Sequence, residues 1–316
     1  MAKVVGLRHR YDDAVVLGGG VAGSGVDGSD GGVDLSVDAG EIVTVLGPNG
    51  SGKTTLFRLL STLMPIQDGS ITIGGHDAAE DPLAVRSQIG IVFQSPSLDA
   101  KLTVDENLKC QAALYGITGD ELTRRRDESL GAMGLLDRRG DFCGKLSGGL
   151  KRRVEIAKTL LHRPRFLLLD EPSTGLDPSA RLDLWQSIQT IASEGTAVLM
   201  TTHLLDEAER ADRVVLMAGG NVVASGPPSE LRAGMGDGTI TVTPTSDQTD
   251  GAVERVLAEL NADATKVSDQ YRMTTADLSG LTATLIDRLG DDARSISVGR
   301  PSLEDVFIAK TGQELL

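Results

Sequence analysis

Gly47-Pro48-Asn49-Gly50-Ser51-Gly52-Lys53-Thr54-Thr55 decides the fold of this chain. The stretch fills the pattern G-x-x-x-x-G-K-[ST] and stands between two segments of opposite character. Before it, Glu41-Ile42-Val43-Thr44-Val45-Leu46 has the short apolar composition of a buried strand. After it, Leu56-Phe57-Arg58-Leu59-Leu60 reads as a helix. Glycines here let successive backbone N–H groups curl round an anion, and the helix N-terminus adds partial positive charge. Lys53 then reaches the β- and γ-phosphates of a nucleoside triphosphate, while the Thr54 hydroxyl binds Mg²⁺. A chance glycine-rich turn before a helix is the competing explanation, and the ordered strand, turn and helix argue against it.

Later segments narrow the reading. Leu146-Ser147-Gly148-Gly149 opens an amphipathic run from Leu150 to Leu161, with Val154, Ala157, Leu160 and Leu161 at helical spacing. It is a second glycine turn at a helix start and a second candidate phosphate-binding end. Phe166-Leu167-Leu168-Leu169-Asp170-Glu171 is an apolar strand ending in two carboxylates, and ligands gather at the carboxyl ends of parallel strands. Asp170 is placed to hold Mg²⁺, directly or through water, and Glu171 to polarise an attacking water. His203 follows the strand Ala197 to Thr202, and Gln94 follows Ile89 to Phe93 in the same manner. Singly these are weak signals: a lone histidine is more often a core or surface residue, and an Asp-Glu pair is more often solvated. Their joint order carries the weight. His9, His76 and His162 have no such setting and read as ordinary residues.

In this order the motifs resemble those of the nucleotide-binding subunit of an ATP-binding cassette (ABC) transporter. The phosphate loop, Gln94, L-S-G-G, Asp170-Glu171, Ser173-Thr174-Gly175-Leu176-Asp177 and His203 carry the resemblance, which covers about residues 1 to 230. L-S-G-G in that position is the family's own mark. The resemblance implies an α/β fold, a P-loop NTPase core of the ABC type with an antiparallel β subdomain and a helical subdomain. It implies ATP and Mg²⁺ as ligands, the metal held by Thr54, Gln94 and Asp170. Two cassettes, identical or different, would meet head to tail, so that Ser147, Gly148 and Gly149 of one face the nucleotide in the phosphate loop, Gly47 to Thr55, of the other. Gly47, Pro48, Asn49, Gly50, Ser51, Gly52, Lys53, Thr54 and Thr55 would hold the phosphates from their own side. Glu171 would align or deprotonate the water, His203 orient the γ-phosphate, Gln94 sense Mg²⁺, and Asp177 shape the interface. Tyr11 is the aromatic before the phosphate loop that would stack on adenine.

Composition sets outer bounds. The 316 residues allow one large domain or two smaller ones, and 40% hydrophobic with 24% charged residues is the balance of a soluble globular protein. The longest apolar runs are too short to cross a bilayer, and no signal segment opens the chain. A transport role therefore needs a membrane permease on another polypeptide, with this chain at the cytoplasmic face of the membrane. The net charge of −14 argues against nucleic acid as a partner, which wants a basic face. Lysine supplies only nine of the 31 basic residues, a usage that suits either a salt-rich cytoplasm or a GC-rich genome. Cys110 and Cys143 have no metal or redox spacing and fit a reducing compartment.

Along the chain, Val4 to Leu7 is the first strand candidate. Gly18 to Gly32 reads as a glycine-rich insertion longer than a typical cassette has. Residues 42–100 read as the first half of the ATPase core, and 101–165 as a helical subdomain with helices at Val104 to Tyr115 and Glu121 to Met133. Strand-helix alternation returns from Phe166 to Val223 until Gly226-Pro227-Pro228 breaks it. The expected division is an ATPase domain over 1–235 and a small α+β accessory domain over 236–316. In the latter, Thr239 to Thr243 and Ser295 to Val298 read as strands, and Ala252 to Leu260 and Leu278 to Leu289 as helices. The end, Pro301-Ser302-Leu303-Glu304-Asp305-Val306-Phe307, resembles the tail of drug-exporter-type, daunorubicin-resistance-like ATPase subunits; Ser302 with Asp305 also makes a capping box. Import, lipid or polysaccharide export, and a soluble cassette ATPase stand as the alternatives to drug export.

Overall fold

The apolar run after Glu41 becomes the middle of the main sheet. The computed structural model describes residues 1–19 and 31–315, so most of the expected glycine-rich insertion lies outside the described residues. The chain opens with β1 (Ala2–Tyr11), β2 (Ala14–Leu17) and β3 (Val33–Val37), and β4 (Ile42–Leu46) then leads into α1 (Lys53–Leu60). β5 (Asp68–Ile73) and β6 (His76–Asp77) complete an antiparallel sheet in which β1 pairs with β2, β3 and β5. After α2 (Pro82–Gln88) and β7 (Ile89–Val92), the 101–165 segment folds as α3 (Val104–Leu114), α4 (Gly119–Ala132) and α5 (Gly148–Leu160). A full capping box between Thr103 and Glu106 starts α3. The chain returns through β8 (Phe166–Asp170), α6 (Pro178–Ser193), β9 (Ala197–Thr202), α7 (Leu205–Ala208), β10 (Arg213–Ala218) and β11 (Asn221–Gly226).

The main sheet has the order β11-β10-β4-β9-β8-β7, parallel except for the edge strand β11. Its strands read as nearly continuous apolar runs because both faces are covered. Val43, Val45, Phe166, Leu168 and Leu199 face one core, with Phe57 of α1 and the antiparallel sheet. Leu46, Leu167, Leu169 and Met200 face the other, with Leu108 of α3, Val154 of α5 and Trp185 of α6. The two-residue period of a strand thus sorts one apolar run onto two cores.

Beyond α8 (Pro228–Ala233) come β12 (Gly238–Pro244), α9 (Asp247–Glu259), β13 (Ala264–Val267), β14 (Gln270–Thr275), α10 (Leu278–Leu289), β15 (Ala293–Gly299) and α11 (Leu303–Thr311). The sheet β13-β14-β12-β15 is antiparallel and has its own core, including Ile240, Val242, Leu257, Tyr271 and Leu285. The β13–β14 hairpin was not expected from the sequence, although Tyr271 and Met273 alternate with polar residues in β14 as a half-buried strand requires.

The last helix leaves this unit. Leu303, Val306, Phe307 and Leu315 pack in the main core with Val214, Leu216 and Val223. The Ser302–Asp305 capping box forms as expected, and Arg272 of β14 donates to Glu304 at 2.7 Å, tying the small sheet to α11. Within the expected accessory segment, residues 238–299 therefore carry a separate core, whereas 303–315 share that of the ATPase. Phe307 is wholly buried. Phe307→Ala should cost about 3–5 kcal/mol, read as a lower urea midpoint for the whole chain. An unchanged midpoint would mean that α11 is a detachable tail.

Candidate active site

Leu46 ends β4 at the carboxyl edge of the sheet and α1 begins at Lys53, so the phosphate loop hangs over the strand ends. Gly52 caps α1 at φ +100, and a Cβ there would come within 3.0 Å of the Val16 carbonyl oxygen; only glycine holds this turn. Lys53 is buried, and its Nζ donates to the carbonyls of Gly47 (2.6 Å) and Pro48 (3.0 Å). Burial lowers the affinity of that amine for its proton, while the charges of Glu171 and Asp170 oppose the shift. The Ser51 hydroxyl is buried with no hydrogen-bond partner, and Thr54 is exposed on the first turn of α1. A lysine resting on its own loop, an orphaned hydroxyl and a free helix N-terminus fit a polyphosphate.

The second half of the site lies at the ends of β7, β8 and β9, which are neighbours in the sheet. Thr201 Oγ1 donates to Asp170 Oδ1 at 2.6 Å, and burial pushes the Asp170 carboxyl above its ordinary value. Such a carboxylate, partly stripped of water, is one that a nearby cation satisfies. Glu171 turns out of the sheet at φ +44, its N–H shared between the carbonyl and hydroxyl oxygens of Thr201, both at 3.1 Å. Its Oε2 accepts from Gln94 Nε2 and Thr174 Oγ1, both at 3.1 Å, and its Oε1 lies 3.5 Å from His203 Nδ1. Gln94 and His203 therefore converge from the ends of the two flanking strands on the Glu171 carboxylate.

One supporting residue has no sequence signal. Glu207 on α7 is buried and accepts from Thr202 Oγ1 at 2.6 Å and from Ser173 Oγ. It joins the turn after Glu171 to the residue before His203. In sequence it is only an acidic residue in a short helical stretch.

The L-S-G-G turn stands elsewhere. Ser147 is the N-cap of α5, its Oγ accepting from the Leu150 N–H at 3.4 Å, and both Ser147 and Gly148 are exposed. Gly149 is buried, and a Cβ on it would lie 2.7 Å from Ala180 Cβ, so α5 and α6 approach this closely only over glycine. Asp177 caps α6 through the Ala180 N–H at 3.0 Å. α5 packs on β7, three strands from β4, a lateral offset of about 14 Å from the phosphate-loop strand. Tyr11, at the end of β1, has an exposed ring and donates to Met64 Sδ at 3.3 Å, in the segment after α1.

The family model described as ABC transporter matches residues 31–174. The daunorubicin/doxorubicin resistance ATP-binding protein of Streptomyces peucetius is 37% identical, the alignment covering 89% of this chain and 87% of that protein. The chain belongs to the ABC transporter family. This ABC ATPase is also 34% identical to the doxorubicin resistance ATP-binding protein of Mycobacterium tuberculosis, over 96% of its own length and 95% of the relative's. A solved ATP-binding subunit of an ABC transporter superposes with a TM-score of 0.63 at 31% identity, covering 74% of this chain and 92% of that one. The ABC ATPase thus binds and hydrolyses ATP and is similar to drug-resistance ATP-binding proteins. Among the described residues no helix is long and apolar enough to cross a membrane.

Proposed function

We propose that this ABC ATPase is the motor of an exporter of amphipathic, drug-like compounds, working as an ATP-closed dimer on a separate membrane permease at the cytoplasmic face. The observation that carries export is the length of the similarity: resistance proteins match across both the ATPase core and the C-terminal segment. Residues 1–235 form the nucleotide-binding domain in this reading, and 236–316 an accessory domain whose last helix is seated in the ATPase core.

ATP lies along the phosphate loop, its β- and γ-phosphates taken by Lys53 and by the N–H groups of Gly50 to Lys53, with Tyr11 against the adenine. Thr54, Gln94 and Asp170 are the oxygen donors for Mg²⁺, which neutralises phosphate charge when bound. Glu171 orients the water and takes its proton, and His203 holds the γ-phosphate in line with it. Ser147 and the free N–H groups of Gly148 and Gly149 at the start of α5 contact the γ-phosphate of the partner cassette. The closed dimer lasts while that phosphate bridges it, so ATP favours one of two states by differential contacts.

The test is to co-express the chain with the membrane protein encoded beside it in a doxorubicin-sensitive cell. Drug accumulation should fall, and Lys53→Ala, weakening nucleotide affinity about tenfold or more in calorimetry, should restore it. Unchanged accumulation, or a substrate-binding protein encoded in the same cluster, would turn the reading toward other transport. Unchanged affinity in Lys53→Ala would overturn the assigned phosphate loop.

A further inference from the structure

We propose that Arg152 is a positioning residue for Gln94, and that α5 thereby links the nucleotide held by a partner cassette to this chain's own Glu171. The second half rests on the dimer reading above; the first stands on contacts within one chain.

Arg152 and Glu155 form an ion pair at 3.0 Å, their side chains only 6% and 4% exposed. Arg152 does more than neutralise Glu155. Its Nη1 donates to the Phe93 carbonyl at 2.7 Å and its Nη2 to the Gln94 carbonyl at 2.9 Å. Glu155 Oε1 accepts from the Ser97 N–H at 2.5 Å. One turn further on, Lys158 Nζ donates to the Ser97 carbonyl at 3.0 Å and to its hydroxyl at 2.8 Å. Positions 152, 155 and 158 lie on one face of α5, so a single helical stripe grips the backbone from Phe93 to Ser97. The Gln94 side chain on that segment reaches Glu171 Oε2 at 3.1 Å.

Burying an ion pair costs desolvation, and an apolar pair of similar volume would often be as stable. The benefit here is geometric. A planar guanidinium can bond two successive carbonyls and a carboxylate at once, which an ammonium on a flexible stem does less well. Ser147, the N-cap at the start of the same helix, faces the partner's nucleotide in the dimer reading. Five residues separate it from Arg152, roughly 7.5 Å of helix. A displacement of the N-cap is thus carried along α5 to the Phe93 and Gln94 carbonyls, and changes how Gln94 meets Glu171.

Arg152→Met with Glu155→Gln tests the link. The glutamine keeps an oxygen for the Ser97 N–H, and neither member of the Arg152–Glu155 pair is left charged without the other. The double variant should hydrolyse ATP about tenfold more slowly, with equilibrium affinity for metal-free ATP unchanged within about twofold because the phosphate loop is untouched. Added to Gln94→Ala, it should slow that variant no further, because both changes remove the same contact with Glu171. Arg152→Lys keeps Glu155 paired and should fall between wild type and the double variant; it serves the same cycle with Gln94→Ala if the double variant folds poorly. Where ATP dependence is cooperative in the wild type, the Hill coefficient of the Arg152 variants should fall toward one. Rates that multiply with Gln94→Ala would overturn the positioning role. Non-additive rates with full cooperativity would overturn the link along α5 and keep the positioning role. Failure of the dimer reading shows separately, as a wild-type chain that turns over ATP as a monomer.

Discussion

Glu171→Gln should bind MgATP as the wild type does and hydrolyse it about 10²-fold or more slowly. The amide can present oxygen and nitrogen where the carboxylate now meets Gln94, Thr174 and His203, so the cluster keeps its shape. It cannot take a proton from water. Because hydrolysis ends the closed state, the variant should accumulate an ATP-bound dimer, seen as a doubled mass in size-exclusion chromatography with ATP and not with ADP. Turnover near the wild-type rate at saturating ATP would mean that another group is the base.

Ser147→Arg has the other large expected effect, and it tests the sandwich rather than the fold. Ser147 is exposed at the start of α5, so an arginine is accommodated in the free chain. In the dimer it puts a bulky cation where the partner's γ-phosphate docks. Nucleotide binding to the monomer should survive, while ATP-driven dimerisation and hydrolysis fail. Mixing this variant with Lys53→Ala creates one composite site with both the lysine and the serine, and another with neither. Weak activity that appears only on mixing is the expected sign of sharing between chains. A Ser147→Arg protein that hydrolyses ATP normally as a monomer would sink the shared-site mechanism.

The parts of the site legible in the sequence are those in which local order dictates chemistry. The phosphate loop was readable because strand, glycine turn and helix are contiguous. Asp170, Glu171, Gln94 and His203 were readable because each follows an apolar strand, and the parallel order β7-β8-β9 brings the last three together. Arg152 and Glu155 were not, since charged residues in an amphipathic helix ordinarily face water and only the chain folded over α5 buries them. Glu207 was hidden for the same reason. Gly149 was read for its N–H alone, yet Ala180 also requires its missing side chain. The tail was half read: its cap was evident, but the return of Phe307 to the first core joins residues far apart in the chain. Tyr11 is assigned to adenine by the resemblance alone; its ring is exposed and its hydroxyl meets Met64.

Glu171 holds its position at φ +44, a backbone region that glycine and asparagine occupy at less cost than a glutamate. Conformations of this kind cost on the order of 1–3 kcal/mol where the side chain has a Cβ. Selection for thermal tolerance alone would therefore drift this codon toward residues that relax the turn and cannot accept a proton. A carboxylate there trades robustness for turnover, and a heat-screened library of this gene would enrich silent enzymes unless activity were assayed at every round.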